Sequence, residues 1–123
     1  MGDKVEAILE KMVDELMWYQ DEEIFGKKEV RKIVKERRDA EYRVQRKDAT
    51  ITFFLDAINY EKGLERAKNR RKKKLEKVNA DFRHENGIKR RIMHLYDRAC
   101  RKFKQNKAIW REYLEFLVKV KAF

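Results

Sequence analysis

Basic side chains are concentrated in one short stretch, and their type and spacing suit the binding of phosphate groups. Residues 66–77 contain eight Lys or Arg and one acid, a net charge of +7. Cations that neutralise several phosphates release counterions, which makes binding strongly salt-dependent. The alternatives that stay open are a nuclear-targeting string, contact with an acidic protein surface, and a solvated face with no binding role. The candidates for RNA binding are Lys68, Arg70, Arg71, Lys72, Lys73, Lys74 and Lys77.

Metal and catalytic chemistry find little support in the residue spacing. His84 and His94 lie ten residues apart and Cys100 follows six residues later, whereas two ligands on one helix face need a spacing of three or four. The sequence has no Gly-rich phosphate loop and no Gly-x-Ser-x-Gly elbow. We therefore expect no enzyme activity, metal, cofactor or small-molecule substrate, and we expect His94 and Cys100 to be wall and core residues.

Composition limits the folds that can position these residues. Of 123 residues, 45% are charged, only four are glycine and none is proline, which is typical of helices rather than of a sandwich or a loop-rich enzyme. The hydrophobic fraction of 42% is too high for a disordered chain. The single cysteine excludes an internal disulfide, and no apolar run approaches the ~20 residues of a membrane helix. The prediction is an all-α protein without a membrane partner.

Apolar residues recur at steps of three and four, which predicts about five helices. The first is an acidic amphipathic helix within residues 1–26, where eight acids face two bases, while residues 27–123 carry +17. It is expected either to close one end of a helix stack or to meet a basic partner. The second runs from near Lys28 to about Gln45, the third follows a cap at Thr50 or Thr52, the fourth begins near Ile88, and the last follows a 105–107 link.

An internal echo suggests that these helices form repeating pairs. Helix pairs that cannot bury their own apolar faces must stack on one another, which gives a solenoid. The echo consists of Glu36-Arg37 with Asp97-Arg98 and Tyr42 with Phe103 at an offset of 61, and of Phe54, Ala57 and Tyr60 with Trp110, Tyr113 and Phe116 at an offset of 56.

These residues carry a resemblance to a known family. Tyr96-Asp97-Arg98-Ala99 followed by Trp110, Tyr113 and Phe116 resembles the half-a-TPR (HAT) motif of RNA-processing assemblies. Nearly the whole chain resembles the N-terminal region of the U3 small nucleolar RNA-associated protein 6 family, through the stretches 24–38, 41–46, 54–61 and 70–75. The resemblance implies antiparallel helix pairs stacked as a HAT-type solenoid fragment over residues 27–123, with a basic helix extension at 66–77, in the N-terminal part of a longer protein.

The resemblance also implies a function. It is that of a non-catalytic scaffold in ribosome biogenesis, in the nucleus and nucleolus, that binds partner proteins of the small-subunit processome for pre-18S rRNA processing. The implied partners are WD-repeat proteins of the UtpB subcomplex, with U3 snoRNA and pre-rRNA nearby or contacted. The alternatives are an autonomous basic RNA-binding module that contacts U3 snoRNA or pre-rRNA, and a HAT protein of another RNA-processing assembly.

The motif residues are expected to serve structure rather than recognition. Arg37 and Arg98 lie in apolar stripes and should bind carboxylates across a helix pair, the available acids being Glu36, Glu41, Glu61, Asp97 and Glu115. Aromatic side chains can stack on unpaired bases, but at helical spacing they are expected in the core. Of Trp18 and Tyr19, one must face outward, and Trp18 is a candidate for partner binding. The residues given a structural role are Arg37, Phe54, Tyr60, Glu61, Tyr96, Asp97, Arg98, Ala99, Trp110, Tyr113 and Phe116.

Overall fold

Helices make up all of the regular structure that we describe. The computed structural model describes residues 2–75 and 82–120, with the side chains of 4–75 and 84–120. Within these ranges every regular element is a helix, which confirms the prediction of an all-α fold. The helices are α1 (Gly2–Glu10), α2 (Val13–Asp21), α3 (Lys27–Val44), α4 (Ile51–Lys74), α5 (Phe82–Glu85), α6 (Gly87–Lys102) and α7 (Lys107–Val120).

The acidic N-terminal segment forms two helices instead of the one expected. A turn at Lys11 and Met12 separates them, and there the Met12 N–H donates to the Leu9 carbonyl at 3.0 Å. This three-residue step is tighter than an α-helical turn and separates the two helices. Helix α1 packs on α3, whereas α2 packs on both α3 and α5.

The chain reverses after α2 through a left-handed residue. Glu23 has a φ of 60°, and the Ile24 N–H donates to the Tyr19 carbonyl at 2.9 Å, as in a Schellman cap. A non-glycine residue in this conformation costs roughly 1–2 kcal/mol. The turn places the Phe25 ring edge-on against Tyr19, with centroids 5.3 Å apart, and both side chains are buried.

Neighbouring long helices run antiparallel. On α3 and α4, Glu29 contacts Arg71 and Arg37 contacts Glu61, so the residue numbers run in opposite directions. The Phe54 ring of α4 meets Phe103, which directly follows α6, and Lys62 of α4 meets Tyr96 of α6. With α7 packed on α6, the order across the stack is α1 and α2, then α3, α4, α6 and α7.

One hydrophobic core runs through this stack. It continues from α2 to α7 and includes several residues without any exposed surface. Burying apolar surface at about 25 cal/mol per Å² is the main favourable contribution to folding. The residues of this core with 0% exposure are Tyr19, Ile58, Ile88, Leu95, Tyr96 and Ala99.

Candidate functional site

The basic run lies at the C-terminal end of α4. The helix continues to Lys74, and Leu75 has an extended backbone. Of the basic helix extension predicted at 66–77, residues 66–74 are therefore helical. Cations suit this position because the last turn of a helix carries a partial negative charge. Lys77, one of the candidates for RNA binding, lies outside the described residues.

Lys68 faces the interior, which corrects its assignment to a phosphate-binding surface. Its side chain is 1% exposed. Its ammonium donates to the Glu85 carbonyl at 2.6 Å and lies 2.6 Å from Glu65 Oε1. A buried lysine needs such partners because an unpaired charge is costly away from water. Lys68 therefore fastens α5 to α4.

Arg71 and Lys72 also contact other parts of the protein. Arg71 donates to the Ile24 carbonyl at 3.1 Å and to Glu29 Oε1 at 2.7 Å, and its guanidinium lies over the Phe25 ring. The hydrogen bond from Arg71, with another from the Gly26 N–H, holds the pKa of Glu29 below its usual value. Lys72 pairs with Glu85.

The other described cations of the run point into solvent. Arg70, Lys73 and Lys74 are exposed, as is Arg66 one turn earlier. Positions 66, 70, 73 and 74 follow the steps of three and four that place side chains on one helix face. We call these four residues the basic face of α4. The positive surface is thus narrower than the run of bases in the sequence.

A buried carboxylate–guanidinium pair joins α3 to α4. Arg37 is 0% exposed, and its Nε and Nη2 donate to the two oxygens of Glu61 at 3.1 and 2.9 Å. Two parallel hydrogen bonds of this kind are among the stronger polar contacts in proteins. Burial would lower the pKa of Arg37, but the charges of Glu61 and Glu15 outweigh it and keep the guanidinium protonated.

The pair extends into α2. Glu15 Oε2 lies 3.4 Å from Arg37 Nη2 and accepts a hydrogen bond from the Tyr19 hydroxyl. Burial, together with the Glu15 carboxylate, raises the pKa of Tyr19 far above its usual value, so this hydroxyl stays a donor. The position of Glu15 in the network was not predicted from the sequence, because it depends on how α2 packs against α3.

A second carboxylate extends the network to α6. Glu41 is 0% exposed and accepts hydrogen bonds from Arg91 Nη1 and Arg98 Nη1, each at 2.8 Å. Burial would raise the pKa of Glu41, but the hydrogen bond from Arg98 and the charge of Arg91 hold it below its usual value. Arg91 Nε lies 3.8 Å from Glu61 Oε2, which links the two parts. Three carboxylates and three guanidinium groups therefore alternate across α2, α3, α4 and α6, and we call this set the ion-pair network.

The two expected arginines differ in their surroundings. Arg37 is enclosed and faces α4, whereas the Arg98 side chain is 22% exposed and reaches back to α3. Of the acids considered as their partners, Glu41 and Glu61 lie in the network. Asp97 instead pairs with Arg101, at 3.1 Å. Arg91 was missed because its charge gave no sign that it belongs to the buried stripe between Ile88 and Leu95.

Gly87 lets α2 approach the start of α6, and this gives a test of the network's packing. A Cβ at Gly87 would lie 2.7 Å from Glu15 Cδ, whereas one at Gly63 meets nothing closer than Arg66 Nη2 at 3.7 Å. Gly63→Ala should therefore raise the free energy of unfolding by about 0.5–1 kcal/mol. Gly87→Ala should lower it by about 1–3 kcal/mol, since Glu15 is held by Tyr19 and Arg37. Urea unfolding followed by circular dichroism compares the two, and a Gly87→Ala protein at least as stable as Gly63→Ala would contradict this packing.

The motif aromatics are divided between core and surface. Phe54, Tyr96 and Phe116 are buried along with Ala99, while Tyr60 and Tyr113 are half-buried. Tyr96 stacks on Tyr113 with centroids 5.3 Å apart. Trp110 was expected in the core but is 43% exposed, because its side of α7 has no described helix packed on it.

Trp18 differs from its prediction in the opposite way, since it was expected at the surface and is buried. It was expected to face a partner, but both it and Tyr19 are buried, at 8% and 0% exposure. The Trp18 ring lies 6.1 Å from that of His84 on α5, and this distant segment covers the side that a lone helix would leave open. Val13 and Met17 are the exposed apolar residues of α2 instead, at 50% and 49%.

Three other possibilities remain to be compared with the structure: a reactive thiol, a metal site and a membrane-spanning helix. Cys100 is 1% exposed, and burial raises the pKa of its thiol. His94 is exposed on α6. Among residues 4–75 and 84–120 no three His, Cys, Asp or Glu side chains are placed to hold a metal ion. Over the same part of the chain, no helix has the length and apolar character needed to cross a membrane.

Comparison with known proteins identifies the family. A family model described as U3 small nucleolar RNA-associated protein 6 matches residues 9–94. The protein of that name from Schizosaccharomyces pombe is 30% identical over 122 residues, which cover 99% of this chain and 25% of the relative. The homologues from Homo sapiens and Mus musculus are 26% and 24% identical over 119 residues, which cover 97% of this chain and 20% of each relative.

This chain spans a fifth to a quarter of the length of these curated relatives. The family model nonetheless covers more than half of the chain, from α1 to α6. The matched range includes every member of the ion-pair network except Arg98. The chain therefore belongs to the U3 small nucleolar RNA-associated protein 6 family.

Proposed function

We propose that this chain is a non-catalytic scaffold segment in ribosome biogenesis, acting in the nucleolus during pre-18S rRNA processing. Its relatives are named for association with U3 small nucleolar RNA, and family membership supports the same context for this chain. Its proposed partners are proteins of the small-subunit processome, in particular WD-repeat proteins of the UtpB subcomplex. The proposed architecture is a HAT-type solenoid over residues 27–123, closed at one end by the acidic segment of residues 1–26.

The ion-pair network is the observation that carries the scaffold proposal. Arg37, Glu41 and Glu61 are each no more than 1% exposed, so their charges serve contacts within the protein. Buried, directional contacts of this kind favour one arrangement of the helices over others. A stack with fixed helix positions can present constant surfaces to several partners at once, which is what a scaffold requires.

Open grooves between the helices are candidate partner-binding surfaces. One groove of about 560 Å³ lies between α4, α6 and α7 and is lined by both Lys or Arg and Glu side chains, including Arg66, Lys89 and Glu115. A second, of about 380 Å³, lies between α3 and α4 beside Ile33 and Tyr60. Grooves with mixed charge and an apolar floor suit a peptide or helix of a partner protein.

The basic face of α4 supports a second candidate function, direct contact with U3 snoRNA or pre-rRNA. Four exposed cations follow one side of a helix, and a phosphate backbone can bind along such a row. Lys68 is buried and cannot line this surface. Arg71, although 43% exposed, and Lys72 are left out of the basic face because carboxylates of the protein pair with them. This contact would add to a scaffold role rather than replace it.

Affinity capture from nucleolar extract, with and without RNase, tests the leading proposal. A tagged chain should retain the propeller proteins of UtpB after RNase treatment, because the proposed contacts are between proteins. Loss of those proteins after RNase, with U3 RNA recovered only from the untreated sample, would contradict the scaffold proposal and favour RNA binding. A tagged protein of equal charge and unrelated fold controls for nonspecific retention.

A further inference from the structure

An open cavity lies where two links of the chain meet at one end of the helix stack. One link joins α3 to α4 and the other joins α6 to α7. They meet because α4 and α6 run antiparallel, which brings the start of α4 beside the end of α6. The cavity has a volume of about 790 Å³ and is lined by residues 49–51 and 101–106. We call it the link cavity.

Three cations line the link cavity from the α6 side. Arg101, Lys102 and Lys104 are exposed there, and the described residues that line the cavity include no carboxylate. Several positive charges around one concavity favour a ligand that carries more than one negative charge. A phosphorylated side chain carries about −1.5 to −2 charges at neutral pH and has three acceptor oxygens. It therefore matches the cavity better than a single carboxylate does.

Lys102 is held in position by the neighbouring link. Its ammonium donates to the carbonyls of Arg46 and Lys47 at 3.0 and 3.2 Å. These bonds use two of the three N–H donors of an ammonium group, and carbonyls leave its positive charge in place because they carry no net charge. One cation is thus fixed beside the cavity before any ligand binds.

Polar groups add hydrogen-bond donors to these charges. Asn106 Oδ1 accepts a hydrogen bond from the Ile109 N–H at 3.1 Å, so its NH₂ group is the part of the amide that can donate to a ligand. Thr50 is exposed, and its hydroxyl makes no capping hydrogen bond to α4. Both side chains line the cavity, so phosphate oxygens can meet neutral donors as well as cations.

The link cavity also has an apolar wall. Ala49, Ile51 and Phe103 line it, and the last two are half-buried. The Phe103 ring packs edge-on against Phe54, with centroids 5.8 Å apart, which fixes its position. A residue next to a phosphorylated side chain can pack on this wall, whereas inorganic phosphate cannot use it.

Carboxylates border the cationic surface on both sides. Asp48 directly precedes the lining residues and pairs with Arg46 at 3.0 Å, and Asp97 pairs with Arg101 at 3.1 Å. The hydrogen bond from Arg46 holds the pKa of Asp48 below its usual value, so this carboxylate stays charged. A nucleic-acid strand carries a phosphate on every nucleotide and binds along a row of cations. The two acids confine the positive surface to one cavity, which suits a single phosphorylated side chain instead.

We propose that the link cavity binds a phosphorylated serine or threonine of a partner protein, with an apolar residue of the same segment packed on Ile51 and Phe103. Clusters of basic side chains are a recurrent means of binding such motifs. Arg101 uses Nε for Asp97, which leaves its Nη atoms for the phosphate. The inference rests on the scaffold proposal, in which the partners are proteins, and adds the chemistry that one of them must carry.

A degenerate peptide library with one fixed phosphothreonine tests this proposal on the purified, immobilised chain. Retention should be about ten-fold higher than that of the same library without phosphate, because one hydrogen bond between charged groups is worth roughly that factor. The retained peptides should be enriched in apolar residues next to the phosphothreonine. Equal retention of both libraries would overturn the proposal. No processome protein is needed, so this failure is distinguishable from a failure of nucleolar capture.

Charge reversal at exposed positions locates the binding site. Arg101→Glu combined with Lys104→Glu should lower retention of the phosphorylated library to that of the unphosphorylated one. Lys27→Glu combined with Lys28→Glu changes the charge equally at the exposed start of α3 and should leave retention unchanged. Circular dichroism should show the same helix content in both proteins, since all four side chains are exposed. An equal loss in both would overturn the proposal by assigning retention to net charge.

Competitors distinguish the sources of the phosphate group. Trp110 donates its indole N–H to the Lys104 carbonyl at 3.3 Å, so its fluorescence reports on the rim of the link cavity. The retained phosphopeptides should change this fluorescence, and inorganic phosphate should do so only at far higher concentration. An equal effect of inorganic phosphate would overturn the proposal. Displacement of the peptides by single-stranded oligouridylate, in the variant with Arg70, Lys73 and Lys74 changed to glutamate, would also overturn it by assigning the cavity to RNA.

Discussion

Replacing Glu61 by alanine is expected to lower the free energy of unfolding by about 3–5 kcal/mol, the usual cost of breaking a buried ion pair. Arg37 would keep its charge at 0% exposure but lose both of its short hydrogen bonds to carboxylate oxygens. The remaining carboxylate, Glu15, lies 3.4 Å away and already accepts from Tyr19. Total stabilities are commonly about 5–15 kcal/mol, so this loss leaves little margin.

Urea unfolding followed by circular dichroism measures the effect of Glu61→Ala. Glu6→Ala is the matched control, because Glu6 pairs with Arg38 at 3.2 Å but the two side chains are 53% and 41% exposed. An exposed pair contributes about 0–1 kcal/mol, so the control should lose little. If the free energy of unfolding of Glu61→Ala lay within about 1 kcal/mol of that of the control, the buried pair would stabilise the fold no more than an exposed pair does.

Reversing the charge of Arg70, Lys73 and Lys74 should remove most of any affinity for single-stranded RNA. The basic face of α4 offers four described cations. Four phosphate contacts give a slope of roughly −3 in log affinity against log salt. The triple glutamate variant keeps only Arg66 and places three acids beside the RNA, so we expect a slope near zero. Filter binding or fluorescence anisotropy over a series of salt concentrations measures both slopes.

A second triple variant controls for net charge in this comparison. Lys27, Lys28 and Arg31 are exposed at the start of α3, and changing them to glutamate alters the charge by the same amount. This control should keep the steep salt dependence. If the salt slope flattened equally in both variants, RNA affinity would depend on overall charge and not on the basic face of α4. A shallow slope in the unsubstituted protein would contradict the proposed RNA contact.

The helices and part of the network could be predicted from the sequence because their signals are local. Steps of three and four located α3, α4, α6 and α7, and an arginine inside an apolar stripe indicated that Arg37 needs a carboxylate partner. The sequence left open which of several acids, Glu61 among them, pairs with Arg37. Which acid is met depends on helix register, and the sequence pattern does not fix register between neighbouring helices.

The burial of a side chain was predicted less well where a segment distant in the sequence determines whether it is covered. Trp18 is covered by His84 and Lys68 is bound by the Glu85 carbonyl, and both partners belong to α5, which has no helical periodicity of its own. Trp110 carries the same signal as Phe54, yet it is exposed because no described helix covers it. In each case the sequence pattern predicted the helix correctly, but a neighbouring element determines how exposed the side chain is.

Capture after RNase treatment, with three proteins side by side, tests most directly whether the helix stack binds the partners. The proteins are the unsubstituted chain, the Arg70, Lys73 and Lys74 charge-reversed variant, and Glu61→Ala. If the stack fixed by the ion-pair network forms the binding surface, the first two retain the same processome proteins and Glu61→Ala loses them. Loss of those proteins from the charge-reversed variant, with retention by Glu61→Ala, would contradict the scaffold account.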